Sequence, residues 1–200
     1  MVEFRRAQTE DEITAMYKLR YEVYCLEKRY LNADDYPDHL EHDEWDKYSV
    51  HFIAKSNDNI VGTVRLIKES PIGFPIEKHF GIKRTEVPTK VFAEGSRFIV
   101  RSQFRKSIFK IANGLNRCII EACIEEGITD LYIILDERLY AAYTRIGLVL
   151  KEVGKPQRCF GCINTPYVMP LRETLINLAT NKPRMYEFFS KPYDRDSIFV

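Results

Sequence analysis

The sequence predicts an α/β sandwich built on a mixed sheet. Three observations carry the prediction. Apolar runs and turn signals follow one another as strand, helix, hairpin, strand, helix, strand, helix, strand between residues 2 and 169. Residues 103–126 place Ile108, Ile111, Leu115, Ile119 and Ala122 at helical spacing, the apolar face of a long helix. Residues 91–100, Val-Phe-Ala-Glu-Gly-Ser-Arg-Phe-Ile-Val, read as a buried strand with charges at its centre.

The totals narrow the function classes. A chain of 200 residues suits one domain whose core needs no disulfide or metal staple. With 30 Lys and Arg against 29 Asp and Glu, there is no general basic surface for nucleic acid, so an electrostatic partner must be met by a local patch. No apolar run approaches the ~20 residues of a membrane span, and the start lacks a signal-peptide core, so a cytoplasmic protein is expected. Five cysteines at irregular spacing do not form a secreted disulfide framework. Cys159-Phe160-Gly161-Cys162 has no second pair and no nearby histidine, which favours strand or turn cysteines over zinc or redox chemistry; no metal is expected.

In chain order, Val2 to Ala7 suits a short strand, and Thr9-Glu10-Asp11-Glu12 has the form of a capping box. The helix it opens carries Ile13, Met16, Tyr17, Tyr21 and Tyr24 as an apolar stripe, with Arg20 inside it and on the face of Tyr24. Residues 30–48 are dense in acids, interleaved with Tyr36, His39, His42, Trp45 and Tyr48. Aromatics in an acidic loop suggest that it folds down over something. Ser49–Ala54 and Ile60–Ile67 form a hairpin around Asn57-Asp58-Asn59, with Arg65 inside the second strand. Residues 69–90 are rich in Pro and Gly, with a short helix at Ile76–Phe80. After the long helix, Leu131–Leu135 is a strand, Glu137–Ile146 a helix ended by Gly147, and Leu148–Val153 and Phe160–Met169 closing strands. Leu171–Thr180 and Pro183–Phe189 are peripheral helices.

A strand that centres Glu94 and Arg97 needs a reason, because buried charge is costly unless paired. Regular alternation sends the two to opposite faces, and one bulged residue at Gly95 brings them to the same face. Two readings stay open on these residues alone: a charged active site, or a structural ion pair capping a core. Arg20, Asp43 with Asp46, Arg65, and Glu94 with Arg97 all want partners, which suggests one buried polar network. There is no nucleophile elbow and no Gly-rich phosphate loop, and Ser96 has no histidine placed to activate it. A carboxylate on a bulged strand suits acyl transfer to an amine, taking a proton from the ammonium while backbone N–H groups meet the developing oxyanion.

These residues carry a resemblance. Arg20-x3-Tyr24, Asp43-x2-Asp46, Gly62-Thr63-Val64-Arg65-Leu66, Phe80 and Glu94-x2-Arg97-Phe98 look like the ordered motifs of bacterial acyl-homoserine-lactone (autoinducer) synthases, which have the GNAT acyltransferase fold. Closer still is the branch of N-acyl amino acid synthases and PEP-CTERM/exosortase-associated acyltransferases. Its hallmarks read here as Leu19-Arg20-Tyr21-Glu22-Val23-Tyr24-Cys25, Glu41-His42-Asp43-Glu44-Trp45-Asp46, Ser49-Val50-His51, Leu139-Tyr140-x2-Tyr143-x3-Gly147 and Thr165-Pro166-Tyr167. The match covers roughly residues 15 to 170. Tyr30 stands where autoinducer synthases carry tryptophan, Arg101 to Lys106 lacks the glycines of a coenzyme A loop, and Cys159-Phe160-Gly161 replaces Tyr-His-Gly of the branch.

The resemblance implies a GNAT-like acyl-CoA N-acyltransferase fold over residues 1–170, with a helical extension at 171–200 packed on the same domain. It implies Glu94, Arg97, Phe98 and Ile99 as catalytic residues, with Glu94 the base and N–H groups near Phe98 and Ile99 the oxyanion donors. Arg20, Tyr24, Asp43, Asp46, Arg65 and Phe80 would bind substrate, the arginines pairing with Asp43, Asp46 and Glu94. Phe74, Phe80 and Phe92 are candidate linings for the acyl chain. No tightly bound cofactor is expected. The donor would be the acyl-phosphopantetheine of acyl carrier protein, docked on Arg101, Arg105, Lys106, Lys110 and Arg117, with Lys106, Lys110 and Arg117 on a common exposed face. Acyl-coenzyme A is the other possible donor. The acceptor would be an amino acid or related small amine. Rival readings are a lactone synthase using S-adenosylmethionine, an acyl-coenzyme A-dependent GNAT enzyme, and a module that only binds acyl chains or carrier protein.

Overall fold

The structure is a computed structural model, and it describes residues 2–84 and 88–190; the rest of the expected 171–200 extension lies outside them. In chain order the elements are β1 (Val2–Arg6), α1 (Glu10–Tyr21), β2 (Ser49–Ser56), β3 (Asn59–Ile67), α2 (Pro75–Phe80), β4 (Phe92–Val100), α3 (Ile108–Glu125), β5 (Asp130–Leu135), α4 (Glu137–Arg145), β6 (Lys151–Glu152), β7 (Gln157–Cys159), β8 (Cys162–Pro170), α5 (Leu171–Asn181) and α6 (Pro183–Ser190). The predicted α/β order holds, and the sheet is mixed, with β4 parallel to β5 and β5 antiparallel to β8.

The described residues form two compact units, residues 2–66 with 97–119, and residues 67–84 and 88–96 with 120–190. In the first, β1 lies antiparallel to β2, pairing Val2 with Ser56 through Arg6 with Phe52. The β2–β3 hairpin turns on Asn57, whose φ of 53° is the left-handed conformation that asparagine tolerates. Helix α1 starts at Thr9, whose hydroxyl accepts from the N–H of Glu12 at 3.2 Å. It buries Met16 and Leu19 with Val23 against Ile53, Ile60 and Ile99. Close packing of β3 on its neighbours depends on Gly62, because a Cβ there would stand 3.0 Å from both Ile99 O and Ile111 Cγ2.

Two local features of this unit depart from the sequence reading. Residues Glu22–Glu27 continue α1 as a widened π turn, in which Lys28 N–H donates to Val23 O at 2.8 Å; such turns often accompany functional sites. The long helix opens as a tighter 3₁₀ segment, Ser102–Ser107, before α3 begins.

In the second unit, β5 is an apolar run between β4 and β8, with α2 and α4 packed on it, and Leu131, Tyr132, Ile133 and Leu135 are all buried. The closing strand foreseen at Leu148–Val153 shrinks to Lys151–Glu152, paired with Val168 and Tyr167. The strand foreseen at Phe160–Met169 is present as β8 from Cys162, and Phe160 and Gly161 instead make the turn of a tight hairpin before it. Cys159 pairs with Cys162 across a turn made by Phe160 and Gly161, with φ of 50° and 77°. The CxxC is therefore a hairpin corner, and both cysteines are free thiols.

Candidate active site

The first unit holds a closed ring of charges. Arg20, from α1, is fully buried; its Nε donates to Glu41 Oε2, while Nη1 and Nη2 fork onto Asp46 at 2.7 and 3.1 Å. Arg65, from β3, donates to Asp43 Oδ1 at 2.5 Å and stands 3.0 Å from Asp46 Oδ1. Arg97, from β4, donates from Nη2 to Glu41 at 2.8 Å and to Asp43 at 2.8 Å. The order Arg20–Glu41–Arg97–Asp43–Arg65–Asp46 thus returns to Arg20. Three guanidiniums and three carboxylates balance, the condition under which charges can leave water.

The acidic stretch folds down as the aromatics suggested. Trp45 and Glu41 are buried, and Glu41 N–H donates to Tyr17 O at 3.1 Å. The turn is also closed by its own acids: Asp43 N–H donates to Asp46 Oδ2 at 2.7 Å and Trp45 N–H to Asp43 Oδ1 at 3.0 Å. Asp43 and Asp46 therefore both shape the loop and neutralise arginines.

The ring sets the proton affinities. Burial opposes ionisation of Glu41, but the Arg97 and Arg20 guanidiniums outweigh it and hold its carboxyl below the usual value. Burial likewise opposes ionisation of Asp43 and Asp46, and Arg65 for the first and Arg20 for the second pull each below the usual carboxylate range. Arg20 and Arg97 are raised in turn, their carboxylates outweighing the burial that favours the neutral form. His51 lies buried with Nε2 3.6 Å from Asp46 Oδ1, and burial pushes it down to about 4 despite that acid. It is neutral at pH 7, so the ring takes no fourth positive charge.

Arg97 is where β4 breaks its regular conformation. Its φ is 53°, left-handed backbone in a non-glycine residue, the mark of a bulge. Gly95, the expected bulge, instead pairs regularly with Ile133, and the irregularity falls two residues later. Left-handed backbone in a large side chain is a strain that persists only where the surroundings over-determine it, and here two carboxylates grip the guanidinium. Phe98 and Ile99 follow directly, the first half-buried and the second buried. The Arg97 guanidinium also lies over the Tyr24 ring, 5.6 Å from its centroid, and Tyr24 stacks on Tyr30 at 6.2 Å.

Glu94 belongs to the second unit. It is fully buried, and its Oε2 accepts from the N–H of Ile76 at 2.9 Å, in the first turn of α2. Within the ring it is Glu41, absent from the expected pairings, that takes both Arg20 and Arg97. Helix α2 is held at its start by Phe74 N–H donating to Glu77 Oε2 at 2.9 Å. Phe80 and Phe74 are buried, Phe74 edge-on to Tyr132, which stacks on Phe92 at 5.0 Å.

The basic residues divide. Arg117 is 5% exposed, buried within α3 rather than on the expected common basic face with Lys106 and Lys110. Arg117 does share a face with Lys110, seven residues away, but residues 114–120 of α3 are buried on every side, so neighbouring elements cover that part of the face. Arg101 and Arg105 are bound to Glu22 and Glu27 at 2.8 and 2.6 Å, while Lys106 and Lys110 are exposed.

Sequence reasoning missed Glu41 and His51 as members of the site. A signal existed for Glu41: three buried arginines against Asp43 and Asp46 leave one guanidinium short of a carboxylate, and Glu41 is two residues away on an extended loop. For His51 the signal was the Ser49-Val50-His51 motif, which the resemblance quoted without giving the histidine a role.

The α/β order, the mixed sheet and the break in β4 at Arg97 are those of a GNAT-like fold. The solved structure of BjaI, a CoA-dependent acyl-homoserine lactone synthase bound to SAM and isopentyl-CoA, superposes with a TM-score of 0.72 at 20% identity, covering 96% of this chain and 90% of that one. FeeM, an N-acyl amino acid synthase from uncultured soil microbes, superposes with a TM-score of 0.67 at 16% identity, over 88% of this chain and 94% of that one. An acyl-CoA N-acyltransferase from Pseudomonas aeruginosa follows at 0.57 and 18%, over 84% and 99%. Among curated proteins no similar sequence was found. The model of the N-acyl amino acid synthase FeeM family matches residues 15–171, and the chain belongs to that family of acyltransferase enzymes.

Proposed function

We propose that this enzyme moves a long-chain fatty acyl group from acyl carrier protein to the amine of an amino acid, releasing an N-acyl amino acid. The observation that carries the reading is the family match over residues 15–171, which spans both the charge ring and Glu94. The absence of glycine from Arg101 to Lys106 supports a carrier-borne donor, because a loop without glycine approaches pyrophosphate poorly.

In this mechanism Glu94, directly or through a water, takes a proton from the acceptor ammonium. The amine nitrogen attacks the thioester carbonyl, N–H groups near Phe98 and Ile99 receive the oxyanion, the C–N bond forms, and the C–S bond breaks to release the phosphopantetheine thiol. The Ile76 N–H orients the Glu94 carboxylate. The ring positions the 41–46 loop, and Arg97, the most exposed of its arginines at 15%, is the one that would take the acceptor carboxylate.

The test is reconstituted transfer from hexadecanoyl-loaded acyl carrier protein or hexadecanoyl-coenzyme A to a mixture of amino acids, with S-adenosylmethionine as a competing acceptor and products read by mass spectrometry. An N-acyl amino acid is expected, and Glu94→Gln should lower kcat by about 10²-fold or more. Unchanged turnover in that variant would remove Glu94 as base. A lactone product would favour the second reading, a homoserine-lactone synthase, which the likeness to BjaI supports.

A further inference from the structure

The π turn after α1 and the 3₁₀ segment before α3 are tied by two rungs, Arg101 to Glu22 at 2.8 Å and Arg105 to Glu27 at 2.6 Å. Those bridges cancel both acids. One turn beyond Arg105 stands Phe109, 65% exposed, and immediately before Glu27 stands Leu26, 55% exposed. Single exposed apolar side chains are ordinary, but two beside the same pair of bridges, within a basic surround, make a candidate contact. Around them Arg29, Lys106 and Lys110 are exposed, as is Lys28, whose Nζ stands 3.6 Å from Glu27 Oε1. The surface is an apolar pair with a basic collar, on a chain whose net charge is only +1.

We infer that Leu26 and Phe109, collared by Lys28, Arg29, Lys106 and Lys110, are the docking surface for the acidic carrier protein that brings the acyl donor. This deepens the functional reading above and rests on it. The charge argument selects the occupant. A second copy of this chain would set like charges against each other across a two-fold axis, whereas an acidic protein complements the collar and is drawn in by it. The apolar pair would then supply the desolvated anchor that collar charges alone, screened by salt, do not provide. Sequence spacing pointed to a basic helix face. The tertiary structure moves the surface: Arg117 leaves it, and the residues after the π turn join it.

The experiment is titration calorimetry of the full chain with hexadecanoyl-loaded acyl carrier protein from fatty-acid synthesis, and separately with hexadecanoyl-coenzyme A. Phe109→Ser and the double variant Lys106→Glu/Lys110→Glu should each weaken carrier binding by about tenfold or more, and Phe109→Ser should leave any coenzyme A ester affinity unchanged. Wild-type carrier affinity should fall as salt rises, and less so in the double variant. Circular dichroism confirms folding, since the three side chains are exposed. Unchanged carrier affinity in both variants overturns the surface while leaving the carrier-borne donor intact. Binding of the coenzyme A ester with no carrier binding by wild type overturns the surface and the donor reading together.

Discussion

Glu41→Gln tests the ring at its most buried acid. The substitution keeps size and shape but removes the charge that two guanidiniums share: Arg20 Nε donates to one oxygen, and Arg97 Nη2 and Nε reach the other at 2.8 and 3.1 Å. A glutamine oxygen still accepts from one arginine, but its NH₂ then faces the other, donor against donor. Breaking a buried ion pair from one side costs about 3–5 kcal/mol. Arg20 keeps Asp46 and Arg97 keeps Asp43, so the expected loss lies near the lower end, about 3 kcal/mol. Urea unfolding at pH 7 followed by circular dichroism measures it, with Asp34→Asn in the exposed part of the same loop as control, expected within about 0.5 kcal/mol of wild type. A double-mutant cycle with Arg97→Lys should return a coupling of about 1 kcal/mol or more. A Glu41→Gln loss below about 1 kcal/mol, at unchanged m-value, would refute the view that this carboxylate holds the ring together.

His51 binds its proton more weakly folded, at about 4, than unfolded, near 6.5. The unfolded chain therefore takes up more protons between those values, so stability is full above pH 6.5 and declines as pH falls toward 4, by on the order of 3 kcal/mol. The depressed ring carboxylates act in the same direction at lower pH. His51→Phe should flatten the decline between pH 6.5 and 4, and an unchanged pH profile of unfolding would assign the decline elsewhere. Gly114→Ala on α3 would gain helix propensity, but its methyl would enter the Phe4 ring, with Phe4 Cδ1 at 2.6 Å. Crowding should win, lowering stability by about 1–3 kcal/mol in thermal unfolding, with recovery when Phe4→Val is added.

Sequence by itself determined the element types and most members of the buried charge ring. Apolar periodicity marks α1 and α3 because one helix face must leave water, and the apolar run of β5 marks a strand covered on both sides. Charges placed inside apolar elements at Arg20, Arg65, Glu94 and Arg97 announced that partners must exist, since unpaired burial is too costly to persist. Which partner meets which charge was decided only in three dimensions. Glu41 bridges two arginines, because the 41–46 loop folds back to Tyr17, and Glu94 accepts from the N–H of Ile76. The break in β4 sits at Arg97 rather than Gly95, because two carboxylates hold that guanidinium firmly enough to impose a backbone that glycine would adopt freely. Arg117 shares a helix face with Lys110 but is buried, because the middle of α3, residues 114–120, is covered on every side. Periodicity is local and reads off the chain; charge pairing joins residues as far apart as 20, 41 and 97, and depends on contacts that exist only once the chain has folded.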